Sequence, residues 1–149
     1  MRKSSTSSRP RPVRTGRAKS PAKRTIGARA APPKGVTPLA RALAGSPLLR
    51  GTPLAVAREL LGACPRRELV DGQLLLLPTQ PNTTLYLLLR GRLHVLLGQS
   101  QDTIVQMLPG TCVGEMSIID GGHVSAPVMA AESSTLLAID ARRFRRLVE

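Results

Sequence analysis

The sequence predicts a mainly β domain with flanking helices, in which short antiparallel strands close into a sandwich or barrel. Three observations lead there. From Glu68 onward the chain is cut into short apolar runs separated by turn residues, the spacing at which all-β sandwiches and barrels place their strands. A helix-patterned segment precedes these runs and another follows them. The charge also divides the chain: residues 1–50 hold 13 Lys and Arg and no Asp or Glu, whereas residues 51–149 hold nine of each sign.

Taken in order, residues 1–45 are rich in Pro, Ser, Thr, Gly and Ala, lack aromatics and have almost no large aliphatic residue before Leu39. Such a segment cannot bury enough apolar surface to offset the entropy of ordering, so 1–45 is expected to be a disordered basic tail and 46–149 one domain. Residues 53–63 bring Leu54, Ala57, Leu60 and Leu61 to one helical face, with Pro53 suited to a first turn. Strands are expected at 73–77, 85–89, 93–97, 103–107, 126–130 and 135–139. Several of these runs are continuously apolar, so the turn residues and not the periodicity decide for strands. Arg90-Gly91-Arg92 reads as a tight bend or bulge. Asp140 is placed to cap a final helix with Phe144, Leu147 and Val148 inward and Arg142, Arg143, Arg145 and Arg146 toward water. Tyr86 and Phe144 read as core anchors.

Several function classes fall away. No apolar run approaches the roughly 20 residues that span a bilayer, so no transmembrane segment is expected. The amino terminus has no continuous apolar stretch of the secretory kind. Its Arg- and Ser-rich, acid-free composition suits an organellar transit peptide, but prolines at 10, 12, 21, 32 and 33 interrupt the amphipathic helix that such peptides form. A cytoplasmic location is the simpler reading. Cys64 and Cys112 lack the spacing of a zinc site or redox pair and read as small core residues. With no nucleophile–base set, metal-ligand cluster or phosphate-transfer loop, neither an enzyme nor a metal protein is expected.

Residues 110–126, GTCVGEMSIIDGGHVSA, resemble the phosphate-binding cassette of cyclic nucleotide-binding domains. The resemblance runs from about Leu48 to Val148, through DGQLLLLPTQPNTTLYLLLRGRLHVLLG (71–98) and STLLAIDARRFRRLV (134–148). It implies an antiparallel β-roll or jelly-roll barrel of the cyclic nucleotide-binding type, with cyclic AMP or cyclic GMP as ligand. Gly114, Glu115, Met116, Ser117, Ser125 and Ala126 then become the candidate binding residues. The resemblance implies that Glu115 accepts from the ribose 2′-hydroxyl and that Ser125 helps to hold the phosphate. Physical chemistry gives the same residues plainer roles as well. Gly114 permits either close backbone approach to a ligand or a sharp bend, and Glu115 would suit the start of a helical turn through its dipole. Where the family carries its phosphate-pairing Arg, this chain has Val124. Leaving a partly buried phosphate without that partner costs about 2 to 5 kcal/mol, a loss of roughly 30-fold to several thousand-fold in affinity. His123 is one position early and on a strand would face the other way, so it reads as a turn residue; His94 reads as an outward-facing polar residue.

These observations predict a regulatory cyclic nucleotide-binding-like domain in signal transduction with weakened or lost nucleotide binding. Two alternatives stay open. One is a functional cyclic AMP or cyclic GMP sensor, and the other is an adaptor whose basic tail binds nucleic acid or acidic surfaces. The family's carboxyl-terminal helix is only begun when the chain reaches Glu149, so the resemblance implies either a module that borrows its lid from a partner or the front of a longer signalling chain. Forms that precede diguanylate cyclase modules are similar in lacking the cassette Arg. A missing lid would expose an apolar mouth beside Met116, Ile118 and Ile119, and a protein partner or self-association is expected there.

Overall fold

Two sheets face each other across an apolar interior, and helices cover the outer side of one of them. The computed structural model describes residues 24–26, 35–97 and 103–148. Along the chain come β1 (Arg24–Ile26), α1 (Pro38–Gly45), α2 (Leu54–Gly62), β2 (Arg66–Leu69), β3 (Leu74–Leu76), β4 (Thr84–Arg90) and β5 (Leu93–Leu97). They are followed by β6 (Thr103–Met107), β7 (Cys112–Val113), α3 (Glu115–Ile119), β8 (Val128–Ala130), β9 (Ser134–Asp140) and α4 (Ala141–Val148). One sheet has the order β1-β6-β5-β8-β3 and the other β2-β9-β4-β7. All pairings are antiparallel except that of β1 with β6.

Strand β4 explains why its sequence does not alternate. Leu85, Leu87 and Leu89 face α1, α2 and α4 in a cluster that includes Leu61, Phe144 and Leu147. Tyr86 and Leu88 point the other way, into the space between the sheets, with Val95, Val105, Val124 and Leu136. A strand covered on both faces is selected for apolar residues at every position, and each such leucine removed from water contributes roughly 1.5 to 3 kcal/mol.

The turn at Arg90-Gly91-Arg92 is a bulge, as expected. The pairing of β4 with β9 shifts register between Leu88 and Arg90, and Gly91 has φ +90°. A Cβ there would collide with the side chain of Ser134 and, at 2.6 Å, with the carbonyl of Ser133. The buried Ser134 hydroxyl accepts from the Arg92 N–H at 3.1 Å and donates to the Glu132 carbonyl at 2.8 Å. Asp140 caps α4 by accepting from the Arg143 N–H at 2.9 Å; that bond holds its carboxyl below the usual range.

Four expectations need correction. Residues 38–45 were assigned to the tail, but α1 is part of the domain. Thr37 caps it by accepting from the Ala40 N–H at 3.2 Å, Pro38 opens it, and Ala42 and Leu43 are buried against the sheet. A proline in the first turn and a short apolar stripe are enough when β4 supplies the surface to cover. Arg24–Ile26 likewise pairs along β6; the rest of the expected tail, 1–23 and 27–34, lies outside the described residues. Leu54 is 44% exposed, because Ala57 and Leu61, one turn apart, are the buried residues of α2 and Leu60 packs beside them. Val148 is 50% exposed, since Phe144 and Leu147 form the inward stripe of α4. Finally, β2 and β7 were not expected; Arg66-Arg67-Glu68 is polar and Cys112–Val113 very short, so neither has the apolar run that marks a strand.

Candidate functional site

The cassette begins where β7, paired edge to edge with β4, ends beside the start of that strand. Gly114 stands there with φ +91° and ψ 6°. A Cβ at this point would lie 2.7 Å from the Thr84 carbonyl oxygen and 2.8 Å from Asn82 Nδ2. Those neighbours cannot yield easily, because Asn82 Nδ2 donates to the Thr84 carbonyl at 2.8 Å and Asn82 Oδ1 accepts from the Thr84 N–H at 3.2 Å. The glycine is therefore demanded by the positive φ and the close approach to Thr84 and Asn82, whatever ligand is bound.

From Gly114 the chain enters α3, with Glu115 in its first turn. The loop that follows is tied down at three points. Buried Ser117 donates its hydroxyl to the His123 carbonyl at 3.1 Å, the Asn82 N–H donates to the Gly122 carbonyl at 3.0 Å, and His123 bridges to Pro81. His123 is thus an exposed turn residue, as expected. His94, expected to face outward, is half-buried on β5, its Nε2 3.4 Å from Gln106 Nε2.

Gly114, Glu115, Met116, Ser117, Ser125 and Ala126 all line one cavity. The structure thus brings together every residue expected at the site. The cavity measures about 80 Å³, against roughly 300 to 1,000 Å³ for small-molecule pockets in general. Leu76, Val113, Val124 and Val128 form its inner wall, and no Lys, Arg or His lines it among the described residues. Val124 is 8% exposed and belongs to the core between the sheets, so at the place of the expected arginine a hydrocarbon faces the site. Ser117 lines the cavity while its hydroxyl has a backbone partner in the His123 carbonyl. Of the apolar mouth, Met116 and Ile119 are exposed, but Ile118 packs on the helix-covered cluster.

Glu115 also borders a larger cavity of about 430 Å³, formed by Gly45, Ser46, Pro47 and Leu48 after α1 and by Thr111 and Cys112. There Cys112 Sγ lies 3.7 Å from Ser46 Oγ. Burial pushes the Cys112 thiol up to about 11, which leaves it a neutral, unreactive group near neutrality. Burial likewise raises the Cys64 thiol.

A third cavity was not foreseen. It measures about 210 Å³, shares Leu76 and Val124 with the cassette cavity, and presents Arg67, Gln80, Asn82 and Tyr86. Tyr86 was expected only as a core anchor; its ring is buried, but its hydroxyl accepts from Arg67 Nη1 at 3.3 Å. The signal available in the sequence was an Arg on a polar strand, which resembles any solvated charge until the strand is paired. Among the described residues no cluster of His, Cys, Asp or Glu could hold a metal ion, and no helix is long and apolar enough to cross a membrane.

The family model for the cyclic nucleotide-binding domain matches residues 66–149. The Cyclic AMP receptor protein of Thermus thermophilus is 32% identical over 98 residues, covering 64% of this chain and 45% of that protein. The crystal structure of the Thermus thermophilus catabolite activator protein is similar with TM-score 0.61 at 26% identity, over 69% of this chain and 50% of that one. A regulatory subunit of a cAMP-independent protein kinase A from Trypanosoma brucei has TM-score 0.63 at 21% identity, over 71% of this chain and 39% of that one; at that identity the likeness shows the fold alone. The chain spans about half the length of the Thermus relatives it matches.

Proposed function

This chain belongs to the cyclic nucleotide-binding domain family, and from that premise we propose that it is a cytoplasmic regulatory module of signal transduction whose affinity for cyclic AMP and cyclic GMP is weak or lost. One observation carries the reading: the side chain aimed at the cassette cavity from the arginine position is Val124. A cyclic phosphate bears a full negative charge. The free N–H groups at the start of α3 would meet part of it, but a five-residue helix without a neighbouring cation cannot replace a bidentate guanidinium. The small cavity supports the same conclusion, because the hydrocarbon wall occupies space that a nucleotide would need.

A second reading, a working cyclic nucleotide sensor, is favoured by Glu115 and Ser125. Both line the cavity at the positions implied for the ribose hydroxyl and the phosphate. One experiment decides between them. Calorimetric titration of the full chain with cyclic AMP, cyclic GMP and cyclic di-GMP should give binding weaker than micromolar or none. Micromolar or tighter binding of any of the three would establish the sensor instead.

A further inference from the structure

The cavity on the Arg67 side of Val124 has the chemistry that the cassette lacks. Arg67 is paired with Leu136 across β2 and β9, and Leu136 with Leu88 across β9 and β4. Residues directly opposite in an antiparallel pair share a face, and Leu88 and Leu136 lie between the sheets. The Arg67 side chain therefore leans over the rim of the roll's interior. Its guanidinium carbon stands 5.7 Å from the centre of the Tyr86 ring, within the range at which a cation is held by an aromatic face.

The hydrogen-bond inventory of this cavity is unbalanced. Asn82 spends its amide on Thr84. Tyr86 accepts from Arg67, which leaves the phenolic proton free to be donated. A guanidinium has five N–H groups and no acceptor, and no carboxylate among the described residues pairs with Arg67. The nearest acid in sequence, Glu68, accepts from the Thr135 hydroxyl at 2.7 Å on the other face of the strand. No Asp or Glu lines the cavity, while the Gln80 side chain does. Donors thus converge on a positively charged space with no anion of the chain's own to fill it.

We propose that Arg67, Tyr86 and Gln80 form a binding site for a small oxyanion of phosphate size, separate from the cassette. The volume sets the class of ligand. A space of about 210 Å³, many times what a single water needs, holds a phosphate with part of its hydration. It is below the roughly 300 Å³ at which drug-sized pockets begin. The planar fork of Arg67 meets two oxygens of the anion, and Tyr86 and Gln80 donate to the others.

The chain supplies its own probe, because Tyr86 is its single tyrosine and it has no tryptophan. Intrinsic fluorescence of the full protein therefore reports this cavity, while cations elsewhere stay silent. Inorganic phosphate, titrated at constant ionic strength against chloride, should change Tyr86 emission saturably. Arg67→Gln should weaken that response by roughly tenfold or more, since it removes a charge-assisted, two-point contact. Arg67→Lys, which keeps the charge and loses the fork, should fall between. Arg67 is exposed, so both variants are expected to fold, as circular dichroism will show; should one not fold, Gln80→Ala, at an exposed turn position, provides the same comparison with a smaller loss. A tyrosine signal indifferent to phosphate overturns the proposal. So does a saturable response whose midpoint is unchanged in the Arg67 and Gln80 variants.

Discussion

Val124 separates two cavities that are opposites in kind. On the cassette side stand the residues that a sequence motif names, Gly114, Glu115 and Ser125, around a space of about 80 Å³ with no cation among the described residues. On the other side stands a cation, Arg67, in a polar space of about 210 Å³ to which no motif points. The cassette residues are neighbours along the chain, whereas Arg67 meets Tyr86 only because β2 pairs with β9 and β9 with β4. A contiguous motif reports where a site would be. Whether charge is present there depends on strands that the motif does not contain.

The largest expected effect tests whether either cavity is confused with the basic tail. Removing residues 1–34 deletes eleven Lys and Arg and no acid, and leaves α1 and four paired strands of the five-stranded sheet in place. Any binding of the full chain to DNA or anionic vesicles should be independent of sequence and should fall on the order of a thousandfold between low and physiological salt. In the shortened chain it should vanish, while the Tyr86 response to phosphate persists. Filter binding and fluorescence on the two chains make this check, and polyanion binding that survives the cut would place the basic surface on the domain.

Next in size is Val124→Arg, which places a cation on the cassette side. Affinity for cyclic AMP should rise by roughly 30-fold or more, measured by calorimetry. An unchanged affinity would mean that volume and not charge limits the cassette, and the contrast drawn across Val124 would then be one of shape.

Gly114→Ala tests the backbone that both cavities lean on. The positive φ and the contacts with Thr84 and Asn82 should cost about 2 kcal/mol or more, seen as a lower urea midpoint with an unchanged slope. Ser117→Ala should have the smallest effect, about 1 kcal/mol, from loss of the hydroxyl bond to His123. If Ser117→Ala leaves thermal stability untouched, the hydroxyl has no structural role, and the ligand role expected for it from the resemblance regains weight.

Much of the fold was legible in the chain because its signals are local. Turn residues bracketed β5 and β6 to the residue, Asp140 announced the start of α4, and Arg90-Gly91-Arg92 announced the bulge. The elements that escaped notice have weak local signals. Helix α1 lies in a segment whose composition reads as tail, and its Ala42 and Leu43 acquire meaning only when β4 is present to cover. Strand β2 carries three charges in four residues and is held by β9, a partner nearly the whole domain away in sequence. The continuous leucines of β4 were ambiguous for the same reason, because a strand buried on both faces has no polar side to betray its period.

The amino-acid sequence by itself determined the mainly β class, a helix before and a helix after the strand run, and which residues stand at the cassette positions, with Val124 where an arginine was expected. The elements rest on local turn residues and backbone preference, and the cassette positions on the order of residues in one stretch of the chain. Only the tertiary structure decided that Val124 faces inward, that Gly114 is required by its close approach to Thr84 and Asn82, that Ser117 is spent on the loop, and that Arg67 reaches over Tyr86. What each of these residues meets is set by the pairing and packing of segments distant in sequence, which no short stretch of sequence contains.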